Sequence, residues 1–310
     1  GSDIDLDELT ELNKSKIKDD YDIILSQLPQ LQPIVAKKHF HETGTQRIYQ
    51  RFCLVLTNIK KAVEEIVRLD ISPASAGAFI FLCKTKEDTQ KDFEDKLKEL
   101  SQIKFPKPVI IGTSKNFNEF FNYALEIAAL KRVKSTVDAI EGDAIAKKEL
   151  NGRLTAYQNL LFNSLYLNFE NADWTFNKNK VKENNLSAIA SLISNEVFKL
   201  TPMIHNELVV RDRLSSMSVN GATILLNRVF NNSHLKNLGM EGNPSEFGIY
   251  LSLIKSNNLH IKKGDEFVIS IENTKNKSIK TIYDEFLKLI KRSKEAVNVS
   301  DIYAHFVKQP

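Results

Sequence analysis

Hydrophobic positions in the first third of the chain alternate between short continuous runs and helical stripes. Gly77–Cys83 (GAFIFLC) and Val109–Gly112 (VIIG) are continuous apolar runs, which are typical of strands covered on both faces. Arg47–Leu56 is rich in the β-branched and aromatic residues that strands favour. Asn58–Leu69 and Glu87–Leu100 carry hydrophobic residues at helical spacing. This alternation predicts a small, mainly parallel sheet with flanking helices.

The middle of the chain has a helical pattern throughout. Hydrophobic residues between Phe117 and Val133 form one face of a first helix, and a second helix is predicted to begin after Asp143, which is a good capping residue. The second stripe alternates steps of four and three residues, as an antiparallel helix pair requires. It consists of Leu150, Leu154, Tyr157, Leu161, Leu165 and Phe169. A small hairpin is predicted next, with Asn177–Lys180 as its turn.

The pattern of the last third is mixed and mostly helical. It predicts helices at Leu186–Leu200, Ser215–Phe230, Pro244 to about Lys255 and Ile279–Ile290, and a strand at Glu266–Ile271. We therefore predict a mixed, helix-rich α/β fold in four segments. They are an acidic helical segment (1–38), a small α/β domain (39–115), a helical pair with a short hairpin (116–185) and a mostly helical, winged-helix-like domain (186–310).

Composition adds little to this picture. The chain has 310 residues and a net charge of +4, which permits an acidic partner without requiring one. Cys53 and Cys83 lie inside apolar runs and are interpreted as buried free thiols, which suits a reducing cytoplasm. No apolar run reaches the roughly 18 residues that span a bilayer, so we expect no membrane partner. The abrupt ends lead us to expect a part of a larger protein.

The sequence lacks the common catalytic motifs. It contains no GxxxxGK[ST] phosphate loop, no GxSxG elbow and no histidine or cysteine spacing typical of a metal site. We therefore expect no catalytic residue, no cofactor and no metal in this chain, and no ATP hydrolysis by it alone. Whether the chain belongs to an enzyme stays open, because a parent protein could carry ATPase activity elsewhere.

Two groups of residues are candidates for contacts with partners. Asn206, Glu207, Arg211 and Arg213 form the first; Glu207 and Arg211 are spaced as an ion pair on one helix, so the group is either a structural network or a contact for phosphate or a partner. The second group is basic and is either an ordinary solvated surface or a contact for nucleic acid. It comprises Lys262, Lys263, Lys275, Lys277, Lys291 and Arg292.

Six segments in order give the chain a family resemblance. They are GTQRIYQRF, GAFIFLCKTKED, ALEIAALKRV, GDAIAKKELNGRLTAYQNLL, TPMIHNELVVRDRLSS and LGMEGNPSEFGIYLSLIKSNNLH. From about residue 40 to 310 the chain resembles the region C-terminal to the P-loop core in very large ATPases of bacterial anti-phage clusters of the BREX type. In that family Asn-Arg typically follows Asn-Glu-Leu, whereas Val210-Arg211 stands in this position here. The resemblance transfers no catalytic residue.

The resemblance implies a non-catalytic regulatory or assembly module of a large defence ATPase, in contact with the rest of its parent chain, other defence proteins or DNA. A module that binds nucleic acid through the basic C-terminal third is the alternative, and an unrecognised hydrolase or nuclease is a weaker one. Salt-dependent DNA binding would favour the second hypothesis. A deep pocket with perturbed carboxylates would favour the third.

Overall fold

The computed structural model describes residues 4–56, 59, 75–114, 119–183, 185–206, 208–209, 214–293 and 296–307. The chain forms two compact units. Unit 1 consists of residues 1–34 and 49–186, and unit 2 consists of residues 35–48 and 187–310. These units divide the chain differently from the four predicted segments, because residues 35–48 belong with the C-terminal part.

The described residues form the following helices and strands. The helices are α1 (Leu6–Ile17), α2 (Tyr21–Leu25), α3 (Lys37–Thr43), α4 (Gln90–Leu100), α5 (Phe120–Thr136), α6 (Ala139–Gly142), α7 (Ala144–Glu170), α8 (Leu186–Val197), α9 (Ser216–Asn231), α10 (Ser245–Ile249), α11 (Lys277–Arg292) and α12 (Val299–Val307). The strands are β1 (Ile34–Val35), β2 (Ile48–Val55), β3 (Ser75–Cys83), β4 (Val109–Thr113), β5 (Asp173–Phe176), β6 (Asn179–Lys180), β7 (His260–Lys263) and β8 (Glu266–Ile269).

A six-stranded sheet in the order β1-β2-β3-β4-β5-β6 confirms the predicted α/β class. β3 pairs with β4 in parallel, in a register that sets Ala78 beside Val109 and Leu82 beside Thr113. β5 and β6 extend the sheet by antiparallel pairing. Every residue of β3 is buried, which explains why its sequence is a continuous apolar run. The predicted helix Asn58–Leu69 lies outside the described residues except for Ile59.

The predicted helix pair of unit 1 is α5 packed against α7, with α1 also packed on α5. Asp143 caps α7 as predicted, since its carboxylate accepts hydrogen bonds from Ile145 N (2.9 Å) and Ala146 N (3.0 Å). Leu130 and Val133 of α5 and Leu150 of α7 share one buried cluster. The hydrophobic stripe of α4 packs against residues of β2, β3 and β4.

Unit 2 contains a second core, formed by α9, α10 and the turn that joins them. Its buried members are Leu225, Leu238, Met240, Ile249 and Tyr250. The predicted helix from Pro244 to Lys255 is α10 followed by a π-helix at Tyr250–Lys255, where Ser256 N bonds Leu251 O (2.9 Å) five residues back. β7 and β8 then form an antiparallel hairpin. The predicted strand at 266–271 is the second arm of this hairpin, ending at Ile269, and the sequence did not predict the first arm.

No helix among the described residues is both long and apolar enough to cross a membrane.

Candidate interaction surfaces

The first predicted group of polar residues is only partly described by the structure. Asn206 lies in an irregular segment, where its Nδ2 donates to Ser252 Oγ (2.7 Å) and to Gly248 O (3.2 Å). Its Oδ1 accepts from Leu208 N (2.9 Å). Asn206 therefore ties its own segment to the helix that begins with α10, which is a structural task. Glu207, Arg211 and Arg213 lie outside the described residues, so their ion pair and their phosphate contact stay predictions.

An ion pair that the sequence did not suggest links α9 to α10. Arg228 Nε donates to Glu246 Oε1 at 3.0 Å, and the Glu246 side chain is almost completely buried. Arg228 is the one charged residue of α9, and the pair places its charge on the side of the helix that faces α10. Eighteen residues separate the partners, so neither helical nor strand periodicity connects them. Removing either partner would leave an uncompensated charge in this contact.

A buried histidine attaches the hairpin to the core of unit 2. His260 Nε2 lies 2.8 Å from Ser233 O, and Nδ1 lies 2.9 Å from Tyr250 Oη. The Ser233 atom in this contact is the backbone carbonyl oxygen, which can only accept, so Nε2 carries a proton and donates to it; in the neutral ring Nδ1 then accepts from the tyrosine hydroxyl. Burial raises the pKa of Tyr250, so this hydroxyl remains a donor. Both ring nitrogens are thus satisfied, and His260 is a structural residue.

The outer face of α9 is hydrophobic and exposed. Val219, Leu226 and Phe230 are 50%, 58% and 80% exposed. Together with Thr223 they follow steps of four, three and four residues, and we call these four residues the α9 stripe. Thr223 Oγ1 donates to Val219 O (2.9 Å), so its hydroxyl already has a partner within the helix. The α9 stripe is the kind of seam along which two helices pack.

The other exposed side chains of α9 carry no charge. The other exposed residues of α9 are Ser216, Met217, Asn220, Asn227 and Asn231. Solvated helix faces ordinarily carry lysine or glutamate, and contiguous exposed hydrophobic surface usually marks an interaction site. The sequence contains a signal for this surface, because hydrophobic residues on α9 occupy two stripes and one core can cover only one of them. Periodicity alone does not say which stripe faces water.

The second predicted group, the basic residues, lies on three different elements. Lys262 and Lys263 are exposed on β7, where Lys263 stands opposite Glu266 across the hairpin. Lys275 is exposed in the connection to α11, and the remaining members lie on α11. On α11 a helical repeat aligns four exposed lysines, which we call the α11 stripe. They are Lys277, Lys280, Lys288 and Lys291.

Unit 1 contains an apolar groove of about 340 Å³ between α4 and the sheet. Leu97, Ile103 and Phe105 line it on one side, and Val109 and Ile111 of β4 line the other. Among the described residues, no group of three or more histidine, cysteine, aspartate and glutamate side chains is placed to hold a metal ion. Cys53 and Cys83 are both free, and burial raises the pKa of the Cys83 thiol.

No protein-family model matches this chain, and no curated protein and no solved structure is significantly similar to it. The resemblance to the large BREX-type ATPases therefore remains a proposal.

Proposed function

We propose that this chain is a non-catalytic assembly module that associates with a second copy of itself through the α9 stripe. The observation that carries the proposal is the exposure of Val219, Leu226 and Phe230 on a helix face without charged residues. Removing apolar surface from water is favourable by roughly 25 cal/mol per Å². An apolar surface of matching shape on a partner would cover these side chains without burying an unpaired charge.

A second copy fits this surface when the two helices run antiparallel. In that arrangement Val219 of one copy faces Phe230 of the other, and Thr223 faces Leu226. The two pairs occur together because the numbers of facing residues in an antiparallel pair add to a constant, and both pairs have the same sum. Each layer then joins a small side chain to a large one, which is the complementarity that close packing requires. Antiparallel packing also sets opposite ends of the helix dipoles side by side.

The lack of charge favours a copy over a partner chosen by charge. Two identical charged faces would repel one another, whereas two uncharged faces approach without that cost. One short helix pair buries less than the roughly 1,200 Å² of a standard interface. We therefore expect weak association, with a dissociation constant in the micromolar range.

The proposed parent protein is inferred from the resemblance to the BREX-type ATPases. The resemblance supports an assembly role inside a large bacterial defence ATPase, where self-association of this module would bring parent chains together. The two free cysteines fit a reducing cytoplasm, which we propose as the location.

The association is tested by sedimentation equilibrium over a range of protein concentrations. We expect a monomer–dimer equilibrium, and Phe230→Glu or Leu226→Glu should shift it to the monomer, because each would bury a charge in the apolar seam. The matched control is Phe162→Glu, which changes another exposed aromatic residue on α7 of unit 1. This control should leave the equilibrium unchanged.

Two outcomes would contradict the proposal. A parent protein that stays monomeric at several hundred micromolar has no self-association to explain. A dimer that persists in both α9 variants uses another surface. Circular dichroism of each variant separates a lost contact from a lost fold.

A further inference from the structure

The polar face of α11 is predominantly basic. At 3.6 residues per turn, its four stripe lysines fall within a sector of about 80° around the helix axis. All four are exposed, and Asp284 is the one acidic residue that lies within the same sector. The stripe from Lys277 to Lys291 is about 21 Å long at 1.5 Å per residue. Arg292 adds a further exposed cation at the edge of this sector.

The opposite face of α11 is apolar and partly covered. Ile279, Ile282 and Phe286 lie there and are half-buried. Glu285 lies between the two faces and contacts His305 Nε2 of α12 (3.2 Å) and Lys288 Nζ (3.4 Å). The Lys288 and His305 side chains lower the pKa of Glu285, with Lys288 as the larger cause. Glu285 thus offsets part of the charge of Lys288, so Lys277, Lys280 and Lys291 carry most of the positive charge that the stripe presents to solvent.

We infer that the α11 stripe binds the phosphate backbone of a nucleic acid duplex without reading its sequence. The duplex carries one negative charge per roughly 1.7 Å of its axis, so a stripe of this length faces several phosphates at once. Lysine ammonium groups suit this contact because they act as mobile point charges. The exposed face of α11 offers no asparagine, glutamine or pair of arginines for reading bases.

The half-buried apolar face argues against a membrane as the partner. A helix that lies on a lipid surface inserts its hydrophobic side into the bilayer. In α11 Ile279, Ile282 and Phe286 on that side are half-buried, although Tyr283 and Ile290 are 40% and 41% exposed, so less apolar surface is free to insert than on a free amphipathic helix. A polyanion that contacts only the basic side is the better fit.

The hairpin contributes less to this surface than the sequence suggested. Asp265 lies at its tip, and Glu266 stands beside Lys263. These two carboxylates offset the charge of Lys262 and Lys263. We therefore expect the lysines of α11 to matter more for binding than those of β7.

The test is fluorescence anisotropy with a labelled 25-base-pair DNA duplex at several salt concentrations. The logarithm of the association constant should fall linearly with the logarithm of salt, because each phosphate contact releases counterions. In Lys280→Ala/Lys291→Ala the magnitude of that slope should drop by about 2, since two phosphate contacts are lost. Lys262→Ala/Lys263→Ala should change the slope by less than half as much.

A gain of function sharpens the test. Asp284→Lys replaces the acidic residue within the sector, so it should tighten binding several-fold and steepen the salt dependence. The matched control is Lys91→Ala/Lys98→Ala on α4, which removes the same charge from another exposed helix. It should alter binding far less than the α11 double variant.

Four results would overturn the inference. The first is no binding of the duplex at about 50 mM salt, where phosphate contacts are strong. The second is an equal loss in the α4 control, which would mean that only net charge matters. The third is binding to vesicles of anionic lipid, but not to the duplex, that depends on Lys280 and Lys291. The fourth is equally tight binding of a single-stranded DNA of the same length, which would mean that the stripe does not require a duplex.

Discussion

At the scale of single residues, His39 is the clearest case of a buried titratable group. It is 1% exposed, and its Nδ1 lies 2.5 Å from Asn195 Oδ1. Asn195 Nδ2 donates to Glu42 Oε2 (2.9 Å), which fixes the amide orientation and assigns the imidazole proton to Nδ1. His39 Nε2 is buried and has no hydrogen-bond partner among the described residues. Burial is the largest cause and lowers the pKa of His39; the hydrogen bond with Asn195 opposes it, and the charges of Arg47, which lowers the pKa, and Glu42, which raises it, have smaller effects.

This lowered pKa predicts a loss of stability in mild acid. The unfolded chain takes up a proton at this histidine near pH 6.5, but the folded chain resists it to lower pH. The unfolded state therefore binds more protons in that window, and the free energy of unfolding falls as the pH drops below about 6.5. His39→Asn keeps a donor near Asn195 but cannot titrate. We expect urea melts at pH 7.5 and 5.5 to differ less for this variant than for the parent.

The measured quantity is the difference in the free energy of unfolding between pH 7.5 and pH 5.5. A loss of stability that is the same at both pH values does not affect it. His41→Asn on the same helix is the control, because His41 is exposed. Equal pH dependence in the parent and in His39→Asn would show that His39 is protonated equally in both states.

At the scale of elements, α7 allows neighbouring leucines to be compared. Leu161 is buried, whereas Leu160 beside it is 45% exposed and Leu154 is half-buried. Truncating a buried leucine removes transfer free energy and leaves a cavity, so Leu161→Ala should cost about 2–5 kcal/mol of unfolding free energy. Leu154→Ala should cost less, and Leu160→Ala should be close to neutral. Denaturant melts measure all three, and equal losses at Leu160 and Leu161 would contradict the burial pattern.

The elements that the sequence predicted best are those whose hydrophobic pattern is long or continuous. α11 has a clear apolar face, the predicted stripe of α7 includes its buried residues Leu150, Leu161, Leu165 and Phe169, and β3 is apolar throughout because both of its faces are covered. β7 was missed because its sequence, HIKK, has two lysines and a histidine whose burial depends on Tyr250 and Ser233 elsewhere. A local sequence pattern cannot predict contacts with residues that are distant in the chain.

The candidate surfaces were predicted to different extents for the same reason. The lysines of α11 were visible in the sequence, because charge is a property of each residue and the helical repeat aligns it. The α9 stripe was not identified, since its hydrophobic residues look like part of the core until Leu225 is seen to face α10. The ion pair of Arg228 with Glu246 needed the turn at Lys236–Gly239, which contains two non-glycine residues with positive φ, Asn237 and Leu238.

At the scale of the whole molecule, unit 2 combines residues 35–48 with the C-terminal part of the chain, so the two units are not consecutive in sequence. Lys37 N donates to Ser187 Oγ (3.3 Å) and Lys38 N donates to Ser191 Oγ (3.1 Å), so the start of α3 is held by one face of α8. Ser187 Oγ in turn donates to Val35 O (2.6 Å). These contacts join residues about 150 positions apart, and the predicted boundaries at 38 and 115 could not include them.

Each unit contains a hydrophobic cluster of its own, so we expect the two units to unfold separately. Trp174, the single tryptophan, is buried in unit 1, so its fluorescence reports on that unit, while far-UV circular dichroism reports on both. Leu225→Ala should destabilise unit 2 by about 2–5 kcal/mol and shift part of the dichroism transition without moving the tryptophan midpoint. Leu161→Ala, in unit 1, is the reciprocal control and should move the tryptophan midpoint. If Leu225→Ala displaced both signals equally, the units would share one cooperative transition, and the two cores would have to be treated as one.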